Sequence, residues 1–193
     1  MKSNHYLMTL AAVLCCAMTT TIFTACNSDD DNDNNHTKDA PATAEMECEI
    51  YTTPETIESF DFYLTYYDEN GKEKTEKIVW AGNVNDDGYQ TWTKRLSTKL
   101  PATLGAFCEI KAKPETDLEG QYYITSGYQI GFRSRSASGK IINEYNPVPY
   151  GSKNHNKKGM LEDALNQYGK FLNFIYKYDS NGIGLGASKW ANK

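Results

Sequence analysis

Histidine is the scarcest of the residues that could do chemistry in this chain. There are three in 193 residues, and two of them, His36 and His155, lie beyond the first two dozen positions, both in polar surroundings. A Ser-His-Asp or Cys-His set needs an imidazole held beside its nucleophile. Zinc asks for His and Cys in spaced groups. Neither histidine sits at the end of an apolar strand, so no catalytic set, metal site or cofactor is expected. Carboxylates are more plentiful, and a glycosidase needs only two of them at a set separation. Asp61 and Glu109 fall on strand-like segments, and Asp86-Asp87, Asp117 and Glu119 fall in loops. No spacing singles out a pair, and a solvated strand face accounts for each. Residues 83–88 imitate the start of a calcium loop, but position 12 of that loop is Lys94 where a bidentate Glu is required. A hairpin turn is the expectation there, as it is for Asp179-Ser180-Asn181-Gly182. The chain is read as non-enzymatic.

Aromatic residues are the surplus. They make up 12% of the chain, with fourteen tyrosines. Tyr63 and Tyr67 fall on the outward parity of one strand, and Trp80 and Trp92 lie on strands either side of the 83–88 turn. Exposed rings of this kind stack on sugars, with neighbouring Asp, Asn or Gln reading hydroxyls, and they also anchor protein interfaces. These four are the candidate ligand-binding residues, set against ordinary sandwich packing. A second candidate contact is the segment 133–158. There Arg133, Arg135, Lys140, Lys153, Lys157 and Lys158 stand against Glu144 alone, which suits an anionic glycan, a lipid headgroup or a partner, or else a solvated loop.

The elements that must hold these residues have a period of two. Met46, Cys48 and Ile50 alternate with Glu47, Glu49 and Tyr51, a half-buried strand. Phe60, Phe62, Leu64 and Tyr66 alternate with polar neighbours, and Asp68-Glu69-Asn70-Gly71 supplies a hairpin turn. The return strand is expected over 74–81, the next over 89–97, and another over 106–112. A long strand over 121–135 is expected to bend at Gly127 or Gly131. Met160, Leu161, Ala164, Leu165 and Tyr168 share a helical face stopped by Gly169. Residues 171–178 form a last strand with apolar residues on both faces. The sum is mainly β: an immunoglobulin-like or transthyretin-like β-sandwich of about seven strands with one short helix. A partly open barrel is the alternative. Cys48 and Cys108 both fall on core-facing parity, so either two buried thiols or a disulfide is expected.

The N-terminal quarter is of different character. Lys2 precedes an apolar run over 6–18, and small residues follow. This is the signal-peptide pattern, too short for a lasting transmembrane helix. Phe23-Thr24-Ala25-Cys26 resembles the bacterial lipobox. The resemblance implies cleavage after Ala25 and acylation of Cys26 with palmitate-type chains, about 0.8 kcal/mol per buried methylene. An ordinary secretory cleavage is the alternative. Residues 1–25 are thus the signal, 26–44 the lipidated cysteine and a flexible tether, and 45–193 a single domain. Ser28, Asp29, Asp30 and Asp31, directly after the cysteine, resemble the export signal of Bacteroidetes surface lipoproteins. That resemblance implies an outer-membrane, cell-surface location, with the membrane as partner through the lipid.

Five aspartates against Lys38 give the tether a charge of −4. The whole chain is −5, and −6 once Lys2 is lost, which leaves the domain near −2. A general electrostatic grip on nucleic acid is therefore excluded. The strand–turn–strand around residues 68–72 and the Leu100-Pro101-Ala102-Thr103 element are similar to those of small Bacteroidetes lipoproteins with sandwich domains. The implied role is a surface-anchored, non-catalytic binding or structural module. It could be a glycan-binding accessory of a polysaccharide-utilisation system, or a subunit of a pilus or adhesin assembly contacting other outer-membrane proteins. Pilin-like proteins of that phylum also begin as lipoproteins, but this chain is short for that group and shows no evident donor strand.

Overall fold

The structure is a computed structural model that describes residues 39–117, 120, 122–147, 155–157 and 161–191. The signal segment, Cys26 and the Ser28, Asp29, Asp30 and Asp31 tag lie outside the described residues.

The domain is a β-sandwich of two antiparallel sheets. One contains, in order, β4 (Gln90–Lys99), β1 (Pro41–Thr52), β7 (Ser126–Ser136) and β8 (Ile141–Tyr145). The other contains β11 (Gly184–Ser188), β10 (Lys170–Tyr178), β5 (Ala102–Ala112), β2 (Phe60–Tyr67) and β3 (Glu73–Lys77). A separate ribbon pairs β6 (Tyr122–Ile124) with β9 (His155–Lys157). The pairs interlock: β1 lies beside β4 in one sheet, while β2 lies beside β5 in the other. The described strands exceed the expected seven, and two helices replace the expected one. β1 also begins earlier than the expected domain boundary. Thr43 pairs with Lys99 and Arg135, and Ala44 is fully buried, so residues 41–44 belong to the sheet rather than to the tether.

Alternation builds the core. Ala44, Met46, Cys48, Ile50 and Thr52 on β1 face Phe60, Phe62, Leu64 and Tyr66 on β2 and Leu104, Ala106, Cys108 and Ile110 on β5. Their burial is what holds two sheets face to face, at about 25 cal/mol for each Å² of apolar surface removed from water. The first crossing between sheets runs through α1 (Pro54–Ser59), where Pro54 starts the helix with a φ already suited to it. Thr56, fully buried, accepts the Thr125 N–H at 3.0 Å, and the Thr52 hydroxyl donates to the Thr125 carbonyl. These bonds break the long strand expected over 121–135 at Thr125, giving β6 and β7, and not at either glycine.

Three hairpin ends share one device. Asp68 accepts the N–H groups of Asn70 and Lys72, Asn85 those of Asp87 and Tyr89, and Asp179 those of Asn181 and Ile183, all at 2.8–3.1 Å. Such Asx turns replace the backbone partners lost where the ladder ends. The 83–88 and 179–182 segments are thus turns, as expected.

The two flanks of the sandwich are closed differently. Between β4 and β3, Lys94 points inward and donates to Glu76 at 2.9 Å and to the Tyr66 hydroxyl at 3.0 Å. Between β8 and β11, Tyr145 and Tyr176 stack at 4.6 Å, Phe132 stacks on Tyr176, and the Ser134 hydroxyl donates to the Gly182 carbonyl at 2.6 Å. A good part of the tyrosine surplus is therefore flank packing.

Candidate functional site

The four aromatics expected to form a platform are not brought together. Trp92 pairs across the ladder with Ile50, a fully buried residue, and so takes the inward parity and packs against the core. Trp80 follows the end of β3, which stops at Lys77 rather than Ala81, and its ring meets Phe62 edge-on at 5.2 Å. Tyr67 is on the outward parity as expected, but Trp190 from the C-terminal end stacks on it at 4.4 Å and 12°. Phe107 and Ile175 complete that small outer cluster. Tyr63, the other candidate on this face, is half-buried. Its ring carries the Lys111 ammonium at 5.1 Å, between the ion pairs Lys77–Asp61 at 2.6 Å and Lys111–Glu109 at 3.1 Å.

The basic segment also resolves differently from its expectation. Arg133 and Arg135 belong to β7, where Arg135 bonds Glu45 at 2.9 Å and the Gly139 carbonyl, and Arg133 pairs with Glu144 at 3.7 Å. Residues 141–145 form β8, and Lys153 and Lys158 lie outside the described residues. Both arginines are neutralised by partners on neighbouring strands.

Polar groups instead collect on the outer face of the four-stranded sheet. β1 presents Glu45, Glu47, Glu49 and Tyr51 in a row, because Ala44, Met46, Cys48 and Ile50 take the inward parity. β4 sets Arg95, Thr93 and Thr91 opposite Glu47, Glu49 and Tyr51, and β7 sets Gly131, Gln129 and Gly127 opposite the same three. Arg95 holds Glu47 through both Nε, at 2.9 Å, and Nη2, at 2.7 Å. A shallow depression of about 340 Å³ lies along Glu45, Glu47, Arg95, Ser97 and Arg133.

Beyond it the face turns aromatic. The Tyr51 ring lies across Gly127, in the space a side chain there would take, and meets Tyr89 edge-on at 5.6 Å. Burial, then the neighbouring Glu47, raise the Glu49 carboxyl above the ordinary range, with Arg95 opposing. Burial, then Tyr89 and Glu49, raise the Tyr51 phenol in the same way. Half-buried Glu49, Tyr51 and Tyr89 thus stand beside exposed Thr91, Thr93 and Gln129.

Such a face can do two things. Ring faces and edges take the C–H side of a sugar or an apolar side chain. Carboxyl, hydroxyl and amide groups exchange hydrogen bonds with a polyhydroxylated ligand. The outward parity of Tyr51 is legible in the alternation of β1, whereas Tyr89 joins it only through the pairing of β4 with β1. Among the described residues, no group of three His, Cys, Asp or Glu side chains is placed to hold a metal.

No family model, curated protein or solved structure matches this chain.

Proposed function

We propose that this protein is a surface-anchored, non-catalytic lipoprotein whose sandwich domain binds a ligand through the outer face of its four-stranded sheet. The lipobox-like Phe23-Thr24-Ala25-Cys26 and the acidic tag support the anchoring, and the tether would hold the domain clear of the outer membrane. The observation that carries the binding reading is the half-buried Glu49, Tyr51 and Tyr89 group beside exposed Thr91, Thr93 and Gln129 on the outer face of the sheet. A glycan is the ligand class that suits it. Rings beside unfilled hydroxyl and carboxyl groups match a sugar's alternating C–H and O–H surfaces, and the Arg95–Glu47 fork next to them offers further donors and acceptors.

Two measurements test the proposal. Metabolic labelling with palmitate, with Cys26→Ser as control, should label the native chain only. Equal labelling of both removes the anchor at Cys26. A polysaccharide array should lose signal with Tyr51→Ala and with Glu49→Gln while both variants keep native far-UV spectra. Native-like variants with undiminished binding would move the ligand site elsewhere.

A second reading is a subunit of a surface assembly. It is favoured by β11, which ends its sheet, carries no charged residue and exposes Leu185 at 64% with Ile183 beside it at 50%. Uncharged edges template pairing with another strand. Cross-linking on intact cells separates the readings: a ladder of higher species favours assembly, and a monomer that binds glycan favours the first.

A further inference from the structure

Two buried thiols remain that neither reading uses. Cys48 lies on β1, flanked on both sides within the four-stranded sheet. Cys108 lies on β5, flanked on both sides within the five-stranded sheet. Both are fully buried and free in this structure, and both point into the single core between the sheets. Facing sheets ordinarily stand about 10 Å apart, yet residues of β1 and β5 approach within 8 Å between Cα atoms. Small inward residues permit this, Ala44 on β1 and Ala102 and Ala106 on β5, beside the cysteines themselves.

We infer that Cys48 and Cys108 form the one inter-sheet cross-link of this domain, closing to a disulfide when the chain folds in an oxidising compartment. The bond needs Cα atoms about 4.4–6.8 Å apart, a short step from the approach of these two strands. Nothing else about the pair suits another role. Their surroundings are apolar, no third ligand completes a metal site among the described residues, and burial raises both thiols, Cys108 also through its neighbour Cys48. A thiol so held is no nucleophile.

The same burial sets the order of events. The attacking thiolate must meet its oxidant before the sheets close, so cross-linking accompanies folding. The oxidant is a disulfide, that of an exported thiol–disulfide exchange protein. One thiolate attacks it to form a mixed disulfide, and the second thiolate displaces the carrier. Two S–H bonds are lost, one S–S bond is gained, and two electrons and two protons leave with the carrier as its dithiol. The inference relies on the export reading only for this oxidant.

The test is made on the full chain isolated from the cell envelope, denatured in excess iodoacetamide without reductant, digested and mapped by mass spectrometry. The expected result is a peptide pair joined through Cys48 and Cys108 that separates on reduction. The second arm refolds the reduced chain in oxidised and reduced glutathione before the same mapping. A cross-link in both arms supports the inference. A cross-link only on refolding supports the geometry and overturns the export reading instead. Alkylation of both cysteines in both arms overturns the inference. A third measurement guards against poor folding of variants. Reduction of the oxidised native chain should raise its unfolding equilibrium constant about a thousand-fold, from the loss of the cross-link that closes a loop of about 60 residues, and should leave that of Cys48→Ala/Cys108→Ala unchanged.

Discussion

Removing the indole of Trp190 is the sharpest probe of how this domain ends. Trp190 is 6% exposed although it lies only three residues from the C-terminal Lys193 and packs on the outside of a sheet. Its ring stacks on Tyr67 and adjoins Phe107 and Ile175, its Nε1–H donates to the Phe174 carbonyl at 3.3 Å, and its backbone N–H donates to Asn173 at 2.7 Å. A buried aromatic side chain hides about 150–250 Å², or about 4–6 kcal/mol at 25 cal/mol per Å². Two corrections lower this figure. The unfolded chain already hides part of that surface, and water can refill a space on an outer face, so no enclosed cavity is left. Trp190→Ala should therefore cost about 3 kcal/mol, or about 6–12 °C in Tm for a domain of this size. Urea unfolding followed by far-UV circular dichroism measures it. Trp190→Phe keeps a ring on Tyr67 but loses the indole donor and part of the ring surface, so it should lose about 1 kcal/mol. A Trp190→Ala midpoint within about 0.5 kcal/mol of the native one would refute the burial of Tyr67. The outer face of the five-stranded sheet would then return as a ligand platform.

Three further outcomes follow from particular contacts. Because the Glu49 carboxyl is raised by burial and by Glu47, the folded state holds its proton more tightly than the unfolded one. Stability should therefore fall as pH rises from the ordinary value of 4.5 through the raised one. Glu49→Gln should remove that fall, raising Tm at pH 7 and leaving it unchanged near pH 3, as scans of both proteins would show. Lys94→Met strips the β3–β4 flank of its inward charge and takes the ammonium donor from Glu76 and Tyr66, with the Tyr66 hydroxyl still donating to Glu76, which should cost about 1–2 kcal/mol in urea unfolding. Burial lowers the Lys94 ammonium, but its bonds to Tyr66 and Glu76 outweigh this and raise it overall. The stability it contributes is thus complete at neutral pH and lost as pH climbs through the raised value, and a loss shared equally by the Met variant would remove Lys94 as its source. Gly105→Ala would set a Cβ 2.8 Å from the Phe174 carbonyl oxygen and 3.2 Å from the Ile175 side chain, backbone that the β5–β10 ladder cannot easily yield. A loss of about 1–3 kcal/mol is expected, and a neutral Tm would mean that β10 does not lie where its register puts it.

What could be read from the residues depended on how local their causes are. Period-two alternation is a property of neighbours, so β1, β2, β5 and the outward parity of Tyr63 and Tyr67 were legible. So was α2 (Leu161–Tyr168) with its Gly169 stop, where the Gly169 N–H closes on the Leu165 carbonyl. α1 is six residues long, too short for a helical period to show. β11 is Gly-Leu-Gly-Ala-Ser, with no pattern of its own, and exists because β10 offers a ladder to pair with. β8 was hidden by charge: a tally of lysines and arginines reads residues 133–158 as a basic excursion, while register pairs Arg133 with Glu144 and lets Arg135 reach Glu45.

The candidate site failed in the sequence for the same reason. Outward parity is necessary for a ligand platform but not sufficient, since whether a ring stays open depends on what the rest of the chain lays over it. Trp190 covers Tyr67 from far along the sequence, and the register of β4 turns Trp92 inward opposite Ile50. Tyr51 was visible as an outward residue, but its partner Tyr89, just before β4, and its floor at Gly127, on β7, are brought to it only by the pairing of three strands. A residue's face is written locally and its exposure is not, so on a sandwich such as this the search for a binding surface must begin with which strands are neighbours.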